Sequence, residues 1–349
     1  MNNLLRLSRD LGYLNIVITN QSGISRNFFT WEDYEKAAII NAMDAFSDVA
    51  NITFTETDTL NKANIAWASL DDEDSNGALG WAYPPDSGSY SGITTSNWES
   101  YTSLGVQSLN PGSYYYITFL HELGHSLGLA HPHSSNSYYG TFPGVSAGIG
   151  GDSGDNQLNG IPWTVMGYNT FDPDIGYSPN SAELSGFFTG LGAFDIAAIQ
   201  YLYGANKSTN SGDDVYELTS SLNGYKCIWD VGGNDTFDAS NASGASSIDL
   251  RNATLNNVDG GGGYVSHINS QYVGYTIAYG TNSDSISCII ENAKGSSYND
   301  TITGNSSSNI IEGGSGNDTL IGGSGSDTLI GGDGTDTASY STSSSAVSI

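Results

Sequence analysis

The sequence predicts an α/β domain over residues 1–205, followed by an all-β domain with a parallel β-roll over residues 206–349. Three observations favour this division. Helical and strand-like hydrophobic patterns alternate in the first part. After Asn206, helix formers become scarce and Gly, Ser, Asn, Asp and Thr dominate. Residues 295–340 then repeat with a period of nine, which is typical of parallel strands stacked turn upon turn.

The elements of the first domain follow from their hydrophobic periodicity. Residues 31–50 carry an apolar stripe at helical spacing, and Thr30 is the predicted N-cap of this helix. Alternating, β-branched segments predict strands over residues 51–57, 64–69 and 78–83. Further helices are predicted over residues 114–129 and 194–203, and Gly204 ends the second of them.

The run His-Glu-Leu-Gly-His-Ser-Leu-Gly-Leu-Ala-His at residues 121–131 contains three of the five histidines. His121 and His125 are four residues apart, so they project from the same face of a helix. Gly128 can adopt the positive φ that ends a helix and brings His131 back toward the other two. Three imidazole ligands leave one position of a zinc ion open, which is typical of a catalytic site. Surface histidines on an ordinary helix are the alternative.

Two further features complete the pattern. Glu122 is adjacent to the first histidine, where it can reach a water on the metal without binding the metal itself. Met166 lies 35 residues after His131, in the segment Trp-Thr-Val-Met-Gly-Tyr. The histidine run followed by such a methionine turn resembles the metzincin zinc proteases.

Within the metzincins the chain is similar to the serralysins, which are secreted bacterial metalloproteases. The likeness continues through residues 194–206 and 229–238 and into the repeats. It implies a zincin-like (metzincin) catalytic fold, one zinc ion, and peptide hydrolysis by a zinc-bound water with Glu122 as general base. It also implies that Tyr168 approaches the metal at rest and then binds the oxyanion, while Met166 forms an apolar floor beneath the histidines.

Two residues depart from the family pattern. Gly167 stands where many members have Ser, and His133 stands where the family often has Gly. We interpret His133 as a surface histidine, because Pro132 fixes the chain before it. The isolated His267 is interpreted as structural.

The nonapeptides predict several calcium ions, as in RTX repeats. Glycines allow tight turns with exposed carbonyls, and aspartates nine residues apart are expected to form rows between turns. The apolar eighth residue of each unit is expected to fill a thin core. The predicted ligand positions are Asp300, Gly313, Gly316, Asp318, Gly322, Gly325, Asp327, Gly331, Gly334 and Asp336. A disordered Gly/Ser-rich tail is the alternative.

The resemblance also implies two calcium sites at the domain junction, with simple polar turns as the alternative. The first set is Asn210, Gly212, Asp214, Asp230, Gly232 and Asp235. The neighbouring set is Gly233, Asp235, Glu291 and the carbonyl of Ile289.

Substrate binding is assigned to the strand formed by Ala78, Leu79, Gly80, Trp81, Ala82 and Tyr83. An edge strand of this kind can pair with an extended peptide. The resemblance therefore implies protein or peptide substrates, and it allows a small protein inhibitor of a monomeric enzyme.

Charge and cysteine content limit the other functions. The net charge of −28, from 37 acidic and 9 basic residues, argues against a nucleic-acid surface, since phosphate contacts need clustered Lys and Arg. The acidic excess indicates calcium binding in the repeats and a solvated surface elsewhere, with salt adaptation as a further interpretation. Cys227 and Cys288 either pair or remain two buried thiols.

Location is inferred from two further features. The sequence contains no long apolar run, so membrane insertion is not expected, and its first residues lack a signal peptide. Export through a type I system is implied by the resemblance, and the calcium demand of the repeats fits an extracellular location.

Two other functions stay open. The repeats alone would fit a calcium-dependent adhesion or surface protein with an inactive protease-like domain. A zinc hydrolase acting on something other than protein is the second. The intact Glu122, the three histidines and Tyr168 favour the peptidase over both.

Overall fold

A computed structural model gives the structure of the chain. It describes residues 13–20, 31–56, 63–70, 72–85, 87–88, 91–97, 99–100, 105–134, 140–169, 185–269, 273–280 and 288–341. Two compact units are present, Met1–Asn206 and Lys207–Ile349. The predicted N-cap Thr30 and strand residue Thr57 lie outside the described residues. Among the described helices none is long and apolar enough to cross a membrane.

The first unit combines one sheet with helices. Its elements are β1 (Tyr13–Asn20), α1 (Trp31–Val49), β2 (Thr53–Glu56), β3 (Ile65–Leu70), α2 (Asp72–Ser75), β4 (Gly80–Ala82), β5 (Ile93–Asn97), α3 (Tyr114–Ser126), β6 (Phe187–Phe188) and α4 (Ala193–Tyr203). The sheet order is β2-β1-β3-β5-β4. All neighbours are parallel except β4, which runs antiparallel to β5 at the edge. The sequence analysis did not predict β1, which lies between β2 and β3.

The core of the first unit positions α3 against the sheet. Ile65, Trp67 and Ser69 alternate with less buried residues along β3, as the period of a strand requires. The Trp67 ring stacks on Phe119 of α3, with 5.7 Å between ring centroids. Its indole Nε1 donates a hydrogen bond of 2.8 Å to Ser96 on β5. The sheet therefore fixes the helix that carries the first two histidines.

Helix α3 ends in a tight glycine turn, three residues earlier than the predicted end at residue 129. Gly128 has φ 103°, which favours glycine. The amide of Gly128 donates to the carbonyl of His125, and that of Leu129 donates to Gly124, both over 2.9 Å. This pair of bonds is a Schellman motif, so the chain reverses immediately before His131.

The second unit contains only short strands within its described residues. They are β7 (Val215–Glu217), β8 (Gly224–Ile228), β9 (Thr236–Asp238), β10 (Ser246–Asp249), β11 (His267–Ile268), β12 (Tyr275–Ile277), β13 (Asn292–Lys294), β14 (Thr301–Thr303), β15 (Ile310–Ser315), β16 (Thr319–Ile321), β17 (Thr328–Asp333) and β18 (Thr337–Ala338). One sheet has the order β17-β15-β13-β9-β7 and is parallel throughout. The other has the order β11-β10-β14-β16-β18 and is mixed, because β11 is antiparallel to β10. Strands β8 and β12 pair in parallel.

The strand register corrects the predicted spacing of the aspartate rows. Ile302 pairs with Leu320, and Ile311 pairs with Leu329, so partners are 18 residues apart. Consecutive nonapeptides lie in different sheets, because one nonapeptide completes only half of each winding step. Aspartates nine residues apart therefore do not align, whereas those 18 residues apart do.

The core between the repeat strands is thin and fades toward the end of the chain. Ile302 and Ile311 are fully buried and Leu320 is 2% exposed. Leu329 is half-buried and Ala338 is exposed. The two cysteines, Cys227 and Cys288, are both buried free thiols.

Replacing a core isoleucine of the repeats should destabilise the second unit. Ile311→Ala should lower the free energy of unfolding by about 2–4 kcal/mol, because it removes buried methylenes and leaves a cavity. Its neighbour Ile310 is 46% exposed, so Ile310→Ala should change that energy by less than about 0.5 kcal/mol. Urea unfolding followed by circular dichroism in calcium measures both variants. Equal losses would contradict the described register.

Candidate metal centre

Three imidazole rings converge at one point beside α3. His121 and His125 project from the helix, and His131 follows the glycine turn. The Nε2 atom of His131 lies 3.0 Å from those of His121 and His125, which are 3.1 Å from each other. Tetrahedral zinc with bonds of about 2.0–2.1 Å places its ligand atoms about 3.3 Å apart. The triangle therefore fits a single zinc ion.

Backbone carbonyls orient two of the rings. His121 Nδ1–H donates to the carbonyl of Val165 over 2.8 Å, and His125 Nδ1–H donates to that of Leu129 over 2.9 Å. Each ring therefore presents the lone pair of its Nε2 atom to the centre. Burial, followed by the neighbouring His125, lowers the pKa of both His121 and His131 to about 3. The rings remain neutral, and converging neutral lone pairs are the form that binds a metal.

Glu122 is buried beside the histidines, with 7% of its surface exposed. Its Oε2 atom has no hydrogen-bond partner among the described residues. Burial raises the pKa of the carboxyl group to about 8. A divalent cation nearby would lower this pKa again. Gly80 makes room for the side chain, because a Cβ atom there would lie 3.0 Å from Glu122 Cγ.

Tyr168 and Met166 lie on two sides of the cluster. The Tyr168 hydroxyl is 2.8 Å from His131 Nε2, although the residue is 57% exposed. Met166 is 3% exposed and lies against α3. A Cβ atom on Gly124 would be 2.8 Å from Met166 Sδ, so this close approach requires glycine in the helix.

Asp195 is a positioning residue that the sequence analysis missed. Its buried carboxylate accepts hydrogen bonds from Thr164 Oγ1 at 2.6 Å, from the Val165 amide at 2.8 Å, and from the Gly192 amide at 2.9 Å. The Val165 carbonyl in turn orients His121. The available signal was an acidic residue three positions after Gly192, which is a helix-capping pattern.

A cavity of about 330 Å³ opens beside Glu122, His121 and Tyr168. Most of its remaining wall is apolar. This wall includes Leu79, Tyr114, Ile117, Ile161, Val165 and Phe188. Such a cavity can hold an apolar side chain next to the reacting groups.

A carboxylate cluster lies in the second unit. Asp214, Asp230 and Asp235 have oxygen atoms within 4.8 Å of one another, and the last two residues are fully buried. Asp235 Oδ2 has no hydrogen-bond partner among the described residues. Burial, followed by the charges of Asp230 and Glu291, raises the pKa of Asp235 to about 7. A calcium ion would relieve this repulsion, so the donor set fits that cation.

The other predicted ligands of this region are placed unequally. Glu291 accepts the Asp235 amide over 2.9 Å, and Asp230 accepts the Gly232 amide over 2.8 Å. Gly233 lies directly against the Gly212 carbonyl. The remaining two are Asn210, whose carbonyl accepts the Val231 amide, and Ile289, which is half-buried. All of these residues lie within the second unit.

Aspartates of the repeats stack in each sheet. The Asp300 amide donates to Asp318 Oδ1 over 2.8 Å, and the Asp318 amide donates to Asp336 Oδ1 over 3.0 Å. Asp318 Oδ2 is buried without a partner among the described residues. In the other sheet the Asn309 amide donates to Asp327 over 3.0 Å. Gly313, Gly322 and Gly331 lie against the carboxylates five residues later, and Gly316, Gly325 and Gly334 have positive φ.

Comparison with known proteins identifies both parts of the chain. Residues 21–143 match the family model of the matrixin peptidases. Residues 290–320 and 303–338 match the RTX calcium-binding nonapeptide repeat. Serralysin C of Dickeya chrysanthemi is 37% identical over 294 residues, which cover 78% of this chain and 53% of that relative.

The chain belongs to the serralysin-type metzincins. Metallopeptidase AprA of Pseudomonas marginalis is 35% identical over 299 residues, covering 81% of this chain and 56% of the relative. Serralysin of Proteus mirabilis is 32% identical over 267 residues, covering 69% and 51%. The chain thus spans about half the length of these serralysins. Family membership implies a catalytic zinc ion and several calcium ions.

Loss of the Asp195 carboxylate should weaken zinc binding in this serralysin-type centre. Asp195→Asn places an NH₂ donor against groups that are themselves donors, so the Val165 carbonyl and His121 lose their fixed position. We expect the dissociation constant for zinc to rise by about tenfold or more. Competition titration with a chromogenic chelator measures it. Thr164→Ser, which keeps the hydroxyl donor, is the matched control and should bind zinc as the wild type does.

Proposed function

We propose that the chain is a zinc-dependent endopeptidase whose catalytic domain is formed by residues 1–205. One observation carries this proposal. Three neutral Nε2 atoms lie 3.0–3.1 Å apart beside the buried, unpartnered carboxylate of Glu122. A buried carboxylate with a raised pKa costs stability, so its presence next to a metal cluster favours a catalytic role.

The residues divide the work of peptide hydrolysis. Bound zinc would supply Lewis acidity and lower the pKa of water. Glu122 acts as general base and later delivers the proton to the departing amine. Tyr168 donates a hydrogen bond to the developing oxyanion. Gly128 and Met166 keep the three histidines together, and Asp195 holds the methionine turn.

An extended polypeptide is the substrate that best fits the surrounding surface. Strand β4 lies at the sheet edge, and Leu79 and Tyr83 bond inward to β5 through Asn97 and Ile93. By the alternation of an antiparallel pair, the backbone groups of Gly80 and Ala82 point toward the outer side. A substrate strand can add there while one apolar side chain enters the adjacent cavity. This edge favours peptides over other hydrolysable substrates.

The second domain, residues 206–349, is a calcium-stabilised parallel β-roll in this proposal. Its support is the 18-residue step between paired strands in two sheets. Calcium between successive turns neutralises the stacked aspartates, and the thin core makes folding depend on that neutralisation. An extracellular location, reached by type I export, supplies the required calcium. A calcium-dependent adhesion protein would use the same domain but would have no need for Glu122.

Removing the carboxylate of Glu122 tests the catalytic proposal. Glu122→Gln should reduce kcat/KM for a quenched-fluorescent peptide by about 10²–10⁴-fold, because the general base is lost. Zinc content should stay unchanged, since Glu122 is not a ligand. Glu73→Gln, an exposed substitution in the same domain, is the control and should keep full activity. An inactive, zinc-loaded wild type would contradict the proposal.

Neutralising a buried repeat aspartate should have opposite effects with and without calcium. Asp318→Asn should lower the free energy of unfolding by about 1–3 kcal/mol in millimolar calcium, because a ligand is lost. In a calcium chelator the same change should stabilise or be neutral, because it removes repulsion between carboxylates. Asp333→Asn, at an exposed position, should change neither. Urea unfolding under both conditions measures these effects, and a loss that is independent of calcium would contradict the assignment.

A further inference from the structure

His133 packs against the metal centre, which differs from its interpretation as a surface histidine. Its imidazole stacks on His131 with 4.8 Å between ring centroids and 14° between the ring planes. It also contacts Tyr168, with centroids 5.0 Å apart at 47°. The Tyr168 ring lies 4.8 Å from that of His131. The three rings therefore touch one another in pairs.

A glycine loop covers the outer side of this group of rings. A Cβ atom on Gly150 would lie 2.7 Å from Tyr168 Cδ2 and 3.5 Å from His133 Cε1. The Gly148 amide donates to the His133 carbonyl over 2.8 Å, which ties the loop to the same residue. Tyr168 is 57% exposed, so these neighbours supply much of what confines its ring.

His133 is placed to support and not to bind the ion. Its ring lies parallel to that of His131 in the next layer of the stack, so its nitrogens do not join the Nε2 triangle. Its Nδ1 atom is buried without a hydrogen-bond partner among the described residues. The contribution of the side chain to the centre is therefore its ring face.

We propose that His133, with Gly150 behind it, is a positioning residue that holds the Tyr168 hydroxyl at the three-histidine cluster. The inference extends the proposed function, because it concerns the tyrosine of that same centre. A glycine at position 133 would leave the Tyr168 ring in contact with His131 alone on that side.

Copper substitution gives a readout that does not depend on hydrolysis. A tyrosine oxygen bound to Cu(II) produces a visible charge-transfer absorption, and Tyr168→Phe in the full chain defines how much of it belongs to Tyr168. His133→Gly should reduce this absorption per bound copper at least twofold. His133→Phe keeps a ring in the stack and should retain it.

The loop offers a matched pair of variants that leaves His133 intact. Gly150→Ala places a methyl group against the Tyr168 ring and should also reduce the absorption at least twofold. Gly151→Ala meets nothing within 4 Å and should leave it unchanged. Copper content and circular dichroism confirm that each variant is folded and loaded.

Three results would overturn the inference. They are an absent Tyr168 band in the wild type, an unchanged band in His133→Gly, and equal losses in His133→Gly and His133→Phe. Peptidase activity with an unchanged His133→Gly band would overturn this inference alone. An inactive wild type with the expected bands would overturn the proposed function and leave the inference standing.

Discussion

The structure of the first unit depends on three imidazole lone pairs that face one another. Nε2 atoms separated by 3.0–3.1 Å repel unless a cation lies among them, yet the surrounding backbone fixes them in that orientation. The glycine turn at Gly128 brings in His131, and the Val165 carbonyl orients His121. Asp195 anchors Val165, and Trp67 anchors α3. The constraint thus reaches from the metal centre into the sheet and the last helix of the unit.

The second unit follows the same electrostatic principle with a different donor. Asp230, Asp235 and Asp318 are carboxylates buried by the fold, and their pKa values are raised by burial first. A thin core cannot compensate for such repulsion, so cation binding contributes directly to folding. Imidazole suits zinc and carboxylate oxygen suits calcium. The choice of donor atoms therefore separates a reactive centre from a structural one within a single chain.

Local patterns in the sequence predicted the histidine centre well, because helix spacing and one glycine determine it. Features that depend on distant contacts were missed. Strand β1 lies between β2 and β3 without a distinctive pattern, and Asp195 acts on residues 30 positions away. The nine-residue repeat was recognised, but only the register shows that windings take 18 residues. His133 was assigned to the surface, since the loop around Gly150 that covers it could not be placed from sequence.

The central claim is that one zinc ion binds to three imidazole nitrogens. X-ray absorption at the zinc edge, on the protein loaded with one equivalent of zinc, tests this claim directly. The account predicts nitrogen and oxygen neighbours at about 2.0–2.1 Å, with multiple scattering from three imidazole rings. Sulfur neighbours at about 2.3 Å, which would place the ion at Cys227 and Cys288, would contradict it. An all-oxygen shell without imidazole scattering would contradict it equally.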